Sequence, residues 1–318
     1  MNNPFFSVII PTYNQASFLR KALNSVMRQE FKNFEIIIID NFSTDETEKI
    51  IKSFKKKIIY KKIKNRGIIA KSRNKGIQLS KGKWLAFLDS DDLWSSNKLK
   101  EIHEQIKRVK FDVICNDEWI VFGKKSISSL WSYGPYQDNF YKKLLINGNC
   151  ISTSASVINK KFLKKNKIKF DENRSFITTE DYEFFLNISK KRGKFYFYHK
   201  PLGIHLFHDL SASSNYSKHR KSLLSVLKYH VFKIQTFTKK RKDLWEEVKF
   251  NVEFVEILNF LYGHNNKVKS IKMALKAVSK KPFKFSQMIF IDLMNKLKRL
   301  IFYYMNIILQ KPETYEKN

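Results

Sequence analysis

Cysteine is nearly absent from this chain. Its 318 residues include two, Cys115 and Cys150, both in apolar or mixed surroundings and without metal-ligand spacing. That argues against a disulfide-built secreted domain and against a thiolate metal centre, and a reducing cytoplasm is the expected compartment. Long apolar runs are missing too, since none approaches the roughly 20 residues that a membrane-spanning helix needs. The N-terminal Met1-Asn2-Asn3-Pro4 shows no basic segment leading into an apolar core, so no signal peptide is expected. The third scarcity is acid. Asp and Glu number 29 against 61 Lys and Arg, a formal net charge of +32. Such an excess attracts an anionic membrane surface or a nucleic acid. Part of it reflects the use of Lys wherever a solvated residue suffices. No nucleic-acid module or aromatic-basic motif accompanies the charge, so nucleic acid is not an expected partner. The excess is densest near the C-terminus, where 22 Lys and Arg face 8 Asp and Glu from Lys218 onward.

What remains is a chain with 43% hydrophobic residues, enough for a real core. Val8-Ile9-Ile10 and Ile36-Ile37-Ile38-Ile39 are continuous apolar runs, the pattern of strands buried on both faces of a parallel sheet. Helical patterns follow each: one stripe of Phe18, Leu19, Ala22, Leu23, Val26 and Met27, another of Ile50, Ile51 and Phe54 opened by the capping box Ser43-Thr44-Asp45-Glu46. Further strands are expected at 57–63, 84–88 and 111–115, with helices over 70–80 and along Leu99, Ile102, Ile106 and Val109. This alternation predicts an α/β sheet through about residue 116. From 121 to 200 the pattern is irregular, with a segment at 151–157 and a short helix over 180–191. After Ser211 helices are expected over 218–237, 244–261 and 268–278, with loops at Gly263-His264-Asn265-Asn266 and Lys280-Lys281-Pro282. The runs Lys55-Lys56-Lys57 and Lys239-Lys240-Arg241-Lys242 read as solvated charge.

The chemistry centres on Leu88-Asp89-Ser90-Asp91-Asp92-Leu93-Trp94, three carboxylates closing an apolar strand. Adjacent like charges resist burial. A bound Mg²⁺ or Mn²⁺ that also holds phosphate oxygens would relieve them; a strand-end turn with Asp91 or Asp92 capping the next helix is the alternative. In an open α/β sheet, ligands bind beyond the carboxyl ends of the strands. Residues 11–14, 40–43 and 89–92 all fall at such ends, so three polar segments distant in sequence converge on one crevice.

Five segments in order carry a family likeness: Ser7-Val8-Ile9-Ile10-Pro11-Thr12-Tyr13-Asn14, Ile39-Asp40-Asn41-Phe42-Ser43-Thr44-Asp45, Ser72-Arg73-Asn74-Lys75-Gly76-Ile77, Phe87-Leu88-Asp89-Ser90-Asp91-Asp92 and Thr179-Glu180-Asp181-Tyr182-Glu183. Together they resemble the family 2 glycosyltransferases, inverting enzymes of the GT-A fold that use nucleotide sugars, over roughly residues 5–215. The resemblance implies a Rossmann-like, mixed and mainly parallel sheet flanked by helices over 1–215, and the helical, basic pattern beyond it makes 216–318 a separate C-terminal region.

The resemblance also implies roles. Pro11, Thr12, Tyr13 and Asn14 would line a base pocket, with Tyr13 stacking on the base, and Asp40 would bond base or ribose. The family usually has a second Asp and then Gly where this chain has Asn41 and Phe42, which bears on base identity because an amide also donates; a UDP-sugar is nonetheless the expected donor. Arg73, with Lys71 near it, would reach diphosphate or base. Asp89 and Ser90 would contact the donor, Asp91 and Asp89 would bind the metal, and Asp92 would support them. Glu180-Asp181 would be the catalytic acidic pair, Asp181 acting as general base; read without the likeness, the same residues are a helix cap. In Pro201-Leu202-Gly203-Ile204-His205-Leu206-Phe207-His208, His208 would complete the metal or diphosphate site, with His205 the lesser candidate and Leu206 standing where the family usually has Arg.

The expected activity is metal-dependent, hexosyltransferase-type transfer to a glycan or polyprenyl-diphosphate-linked acceptor in bacterial surface polysaccharide synthesis (O-antigen, capsule or lipooligosaccharide). Such an enzyme would sit at the inner face of the cytoplasmic membrane. A noncatalytic nucleotide-sugar-binding or membrane-associated scaffold of the same fold is the alternative. Finally, Phe283, Phe285, Met288, Ile289, Ile291, Leu293, Leu297, Leu300, Ile301 and Tyr304 interleave with Lys284, Lys296, Lys298 and Arg299. That spacing suits a helix lying on an anionic membrane, or one packed on the protein's own core.

Overall fold

The computed structural model describes residues 3–54, 58–122, 129–208, 211, 215–237, 240–262 and 267–309, with side chains left aside at 259–262, 267–270, 295–296 and 298–309. The expected charge runs at 55–57 and 239, the loop at 263–266, and the side chains of Lys296, Lys298, Arg299, Leu300, Ile301 and Tyr304 therefore lie outside the described residues.

In chain order the first elements are β1 (Phe6–Thr12), α1 (Ala16–Met27), β2 (Phe34–Asp40), α2 (Thr47–Ser53), β3 (Ile58–Lys62), α3 (Ile69–Leu79), β4 (Trp84–Phe87), β5 (Leu93–Trp94) and α4 (Lys98–Arg108). Then come β6 (Val113–Phe122), β7 (Ser129–Trp131), α5 (Phe140–Asn147), β8 (Ser156–Asn159), α6 (Lys160–Asn166), α7 (Glu180–Lys190) and β9 (Phe195–Phe207). Four helices close the chain: α8 (Tyr216–Tyr229), α9 (Arg241–Tyr262), α10 (Lys267–Lys280) and α11 (Pro282–Leu309). Two compact units result, Met1–Leu145 with Asn149–Ile234, and Ile146–Gly148 with Gln235–Asn318.

The first unit holds a mixed sheet in the order β3-β2-β1-β4-β8-β6-β9-β5, with β7 beside β6. Its longest ladders, β1 with β2 and β6 with β9, are parallel. Every residue of β1 is buried, because helices cover both faces of a sheet built from βαβ units. Ile10, Ile36, Leu19, Leu23, Ala86 and Trp94 belong to one apolar cluster. The register sets Thr12 beside Asp40 at the carboxyl edge. Gly76 permits α3 to lie on β1, since a Cβ there would collide with Ile9.

Two expectations need correction. The capping box does not form: α2 begins at Thr47. Ser43 instead donates from its N–H (2.9 Å) and hydroxyl (2.6 Å) to Asp40 Oδ1, while Asp45 Oδ1 accepts from Thr47 N–H at 3.1 Å. A fully buried carboxylate at a strand end takes the donors nearest to it. The stretch after 121 is also less irregular than its sequence. β6 runs on to Phe122 and β9 occupies thirteen residues. Asn116 pairs with Tyr198 but Asp117 with Pro201, a bulge that absorbs His199 and Lys200 and lets a proline stand in an interior strand.

In the second unit Phe250, Phe254 and Ile257 of α9 pack with Ala277 of α10 and Phe285 of α11, and Met273, Ala274 and Met288 lean on this cluster. Among the described residues no helix is long and apolar enough to cross a membrane.

Candidate active site

The carboxyl ends of β1, β2 and β4 are adjacent and parallel, so residues 11–14, 40–43 and 89–92 share one edge of the sheet. Pro11 is buried within β1. Thr12 is buried, and its hydroxyl has no partner among the described residues. Tyr13 is 54% exposed. Asn14, at φ +48°, donates its N–H to Ser43 Oγ (2.9 Å) and accepts from Thr44 N–H (2.8 Å), tying the β1 and β2 loops together. Asp40 Oδ2 accepts from the Tyr60 hydroxyl at 2.7 Å. With Ser43 on the other oxygen, both Asp40 carboxylate oxygens accept hydrogen bonds from within the protein. Asn41 is likewise engaged, its Oδ1 accepting from Asn65 N–H at 2.8 Å. Phe42 is exposed at φ +56°.

Arg73 is buried between two carboxylates. It is 4% exposed, and its two terminal nitrogens each lie 2.7 Å from a carboxylate, Asp89 Oδ1 on one side and Glu180 Oε1 on the other. Its charge is held more firmly than usual by Asp89, Glu180 and Asp181, against the cost of burial. The guanidinium also faces the Phe170 ring at 5.4 Å. It therefore joins the strand-end loop to α7, its own partner on that helix, Glu180, lying 107 residues along the chain. Lys71, half-buried on the same helix, forms no ion pair among the described residues.

The two acids of α7 have unequal surroundings. Glu180 has both oxygens engaged, Oε1 on Arg73 and Oε2 accepting from Thr178 N–H at 2.9 Å. Asp181 is bound by lighter partners, Tyr182 N–H at 2.8 Å and the Thr153 hydroxyl at 3.4 Å. Burial pushes both carboxyls up, Glu180 to about 7, with Arg73 opposing the rise. Thr178 holds φ +82°, strained for a β-branched residue. Its hydroxyl lies 3.2 Å from His219 Nδ1, and Thr179 shares a 2.6 Å bond with Ser222, so α8 braces this turn.

Around the Asp cluster, Asp89 N–H donates to Ser154 Oγ at 3.0 Å and the Ser90 hydroxyl donates to Gln15. Asp91 Oδ2 lies 2.9 Å from His208 Nε2, and the His208 ring stacks on Phe18 at 4.4 Å, its buried Nδ1 having no partner among the described residues. Burial and the neighbouring Asp92 and Asp89 push the Asp91 carboxyl up to about 6. Asp92 is buried and faces inward, Oδ1 lying 3.1 Å from His205 Nδ1 and accepting from Leu206 N–H at 3.1 Å. Beneath it Lys98 is fully buried, donating to Ser154 O at 2.7 Å and resting 4.5 Å from the Trp94 ring. Burial lowers the Lys98 ammonium to about 8, opposed by Glu118 and Asp92.

Sequence reading missed Gln15, Thr153, Ser154, Lys98, Glu118 and His219. Their partners lie 15 to 75 residues away, and the one available signal was the Ser152-Thr153-Ser154 run ahead of β8.

Asp91 and His208 offer one carboxylate and one imidazole to a cation. Among the described residues no group of three His, Cys, Asp or Glu side chains is arranged to hold a metal. The pair nonetheless fits an ion that completes its shell with phosphate and water oxygens.

Comparison with known proteins gives this geometry its context. The sequence model of Glycosyl transferase family 2 matches residues 7–166. An uncharacterized glycosyltransferase of Rickettsia typhi is 30% identical over 294 residues, 88% of this chain and 86% of its own. Another, from Methanocaldococcus jannaschii, is 28% identical over 82% of this chain and 89% of its own. Among solved structures, Staphylococcus aureus TarS 1-349 in complex with UDP-GlcNAc aligns with TM-score 0.62 at 20% identity, covering 86% of this chain and 80% of that one. The mannosyltransferase PcManGT of Pyrobaculum calidifontis, in complex with GDP-Man and Mn²⁺, aligns with TM-score 0.55 at 12% identity, covering 93% and 81%. At those identities the likeness is one of fold, the GT-A fold. A family match over half the chain, with a relative aligned along most of both lengths, makes this chain a member of glycosyltransferase family 2.

Proposed function

We propose that the chain transfers a sugar, with inversion, from a nucleotide-sugar donor to a hydroxyl of a glycan or polyprenyl-diphosphate-linked acceptor. The pathway would be bacterial surface polysaccharide synthesis at the inner face of the cytoplasmic membrane. The observation carrying this reading is the Arg73 bridge, which holds the donor-side Asp89 and Glu180, the neighbour of Asp181 on α7, on one guanidinium. A donor sugar with its diphosphate at 89–91 would thereby present its anomeric carbon toward Asp181.

Tyr13 and Phe42, exposed aromatics at neighbouring strand ends, give a nucleobase rings to stack on, and the unpartnered Thr12 hydroxyl gives it a hydrogen bond. Asp40 shapes this pocket through Ser43 and Tyr60. A UDP-sugar is the first donor to test, since TarS binds UDP-GlcNAc on the same fold. Asp91 and His208 would hold Mg²⁺ or Mn²⁺, which when bound offsets the negative charge of the departing nucleoside diphosphate.

Asp181 is the base. The acceptor oxygen loses its proton to Asp181 as it bonds to the anomeric carbon, and the bond from that carbon to the diphosphate oxygen breaks on the opposite face. One displacement of this kind inverts the centre through an oxocarbenium-like transition state. Glu180 cannot serve equally, because both its oxygens are committed. A thermal-shift screen of nucleotide sugars with Mn²⁺ tests the reading. One nucleotide sugar should stabilise the protein, and Asp91→Asn should abolish both that shift and transfer. Full transfer by Asp91→Asn in chelator would refute metal dependence, and no transfer from any donor would leave the scaffold alternative.

A further inference from the structure

The second unit carries an apolar surface that its own core does not use. On α11, Phe285 and Met288 turn inward onto the α9–α10 cluster. On the opposite side Phe283 (90% exposed), Phe290 (62%), Leu293 (63%) and Leu297 (48%) follow one another at helical spacing. The neighbouring α10 repeats the arrangement: Ala277 is buried, whereas Ile271 and Leu275 are exposed one turn apart. These helices are thus apolar on two sides, one facing protein and one facing outward. Solvent-exposed apolar area of this extent marks a binding surface.

Charge identifies what binds it. From Lys267 to Leu300 the sequence has ten Lys and Arg and a single acid, Asp292, and Lys272, Lys276 and Lys280 are exposed around the α10 stripe. A second copy of the chain would bring an equally basic surface against this one, on a molecule of net charge +32, and like charges brought together oppose such a dimer. Anionic lipid head groups oppose nothing, and each Lys near them adds to the attraction. Because no described helix can span a bilayer, the contact is one of lying on the surface.

We propose that α10 and α11 form a docking face for an anionic lipid bilayer, seating Phe290 and Leu293 among the acyl chains with the lysines on the head groups. The face serves a lipid-linked acceptor and so rests on the function proposed above. Binding itself needs neither donor nor acceptor, so it can fail while transfer chemistry stands, and the reverse.

The test is co-sedimentation of the full chain with phosphatidylglycerol/phosphatidylcholine vesicles and with pure phosphatidylcholine vesicles. Binding should favour the anionic vesicles by about tenfold or more and weaken with salt. Phe290→Glu with Leu293→Glu, both at exposed positions, should lower it about tenfold while leaving the circular dichroism spectrum unchanged. Lys272→Glu with Lys276→Glu should reduce it by a similar factor and flatten its salt dependence. The proposal is overturned if the full chain ignores anionic vesicles, if it binds neutral ones as tightly, or if the double Glu variant sediments like the parent. It is equally overturned if light scattering shows self-association that the double Glu variant abolishes without any vesicle binding, since a second copy would then cover the face.

Discussion

Asp181 and Glu180 are adjacent on α7, and their partners separate their tasks. If Asp181 is the base, Asp181→Asn keeps donor affinity and loses turnover by about 10²-fold or more, read as an unchanged donor Kd beside a reduced kcat. Glu180→Gln removes one of the two charged partners of a buried guanidinium and should cost about 2 kcal/mol in denaturant unfolding. The pH dependence distinguishes the two acids further. Burial raises the Asp181 carboxyl above its ordinary value, so the ionised base is lost as pH falls through that raised value. The acid limb of kcat/KM should therefore lie above the ordinary Asp range. In Glu180→Gln, the neighbouring negative charge is gone and Arg73 has one fewer carboxylate to satisfy. Both changes favour ionised Asp181, and the limb should move to lower pH. A limb that stays in place would assign the profile to another group.

At the scale of elements, competing terms can be ranked. Gly76→Ala gains about 1 kcal/mol of helix propensity in α3 but forces a methyl into Ile9. Overpacking of this kind costs about 1–3 kcal/mol, so the melting temperature should fall. The Asp92–His205 pair links the loop after β4 to β9. Asp92 and Glu118 raise the His205 imidazole from 6.5 to about 10 despite burial. Stability from the pair is thus fully present below about 6.5 and lost as pH rises through about 10. His205→Gln should be less stable than the parent at neutral pH, and its melting temperature should decline less over that window.

The elements legible in the sequence were those whose signal is local. β1 and β2 declare themselves by three and four consecutive apolar residues because both faces are covered. β9 does not, because Lys200-Pro201-Leu202-Gly203 resembles a turn and only pairing with β6 makes it a strand. β6 is similar: Asn116, Asp117 and Glu118 look solvated yet are fully buried. Their partners, such as Ser132, Tyr133 and His199, come from other elements. For the site, the acidic positions were readable, whereas the commitment of Arg73 to two of them depends on a closure of 107 residues that no spacing encodes.

At the scale of the whole molecule, α8 belongs with the sheet-bearing unit, which ends at Ile234. A chain ending at 234 keeps the His219 and Ser222 braces on Thr178 and Thr179. It should bind donor with parental affinity and lose vesicle binding. A chain ending at 215 lacks the braces and should lose turnover in addition, which a side-by-side assay of the two truncations would reveal. Arg73 has a consequence at this scale as well. Its positive charge is divided between the loop after β4 and α7, so whatever draws Asp89 toward a ligand leaves more of that charge to Glu180 and Asp181. A carboxylate so favoured ionises more readily, so Asp181, if it is the base, would become competent chiefly after the first substrate has arrived. The two substrates should accordingly add in a fixed sequence, nucleotide sugar before acceptor. Released nucleotide should then inhibit competitively against the sugar nucleotide and noncompetitively against the acceptor.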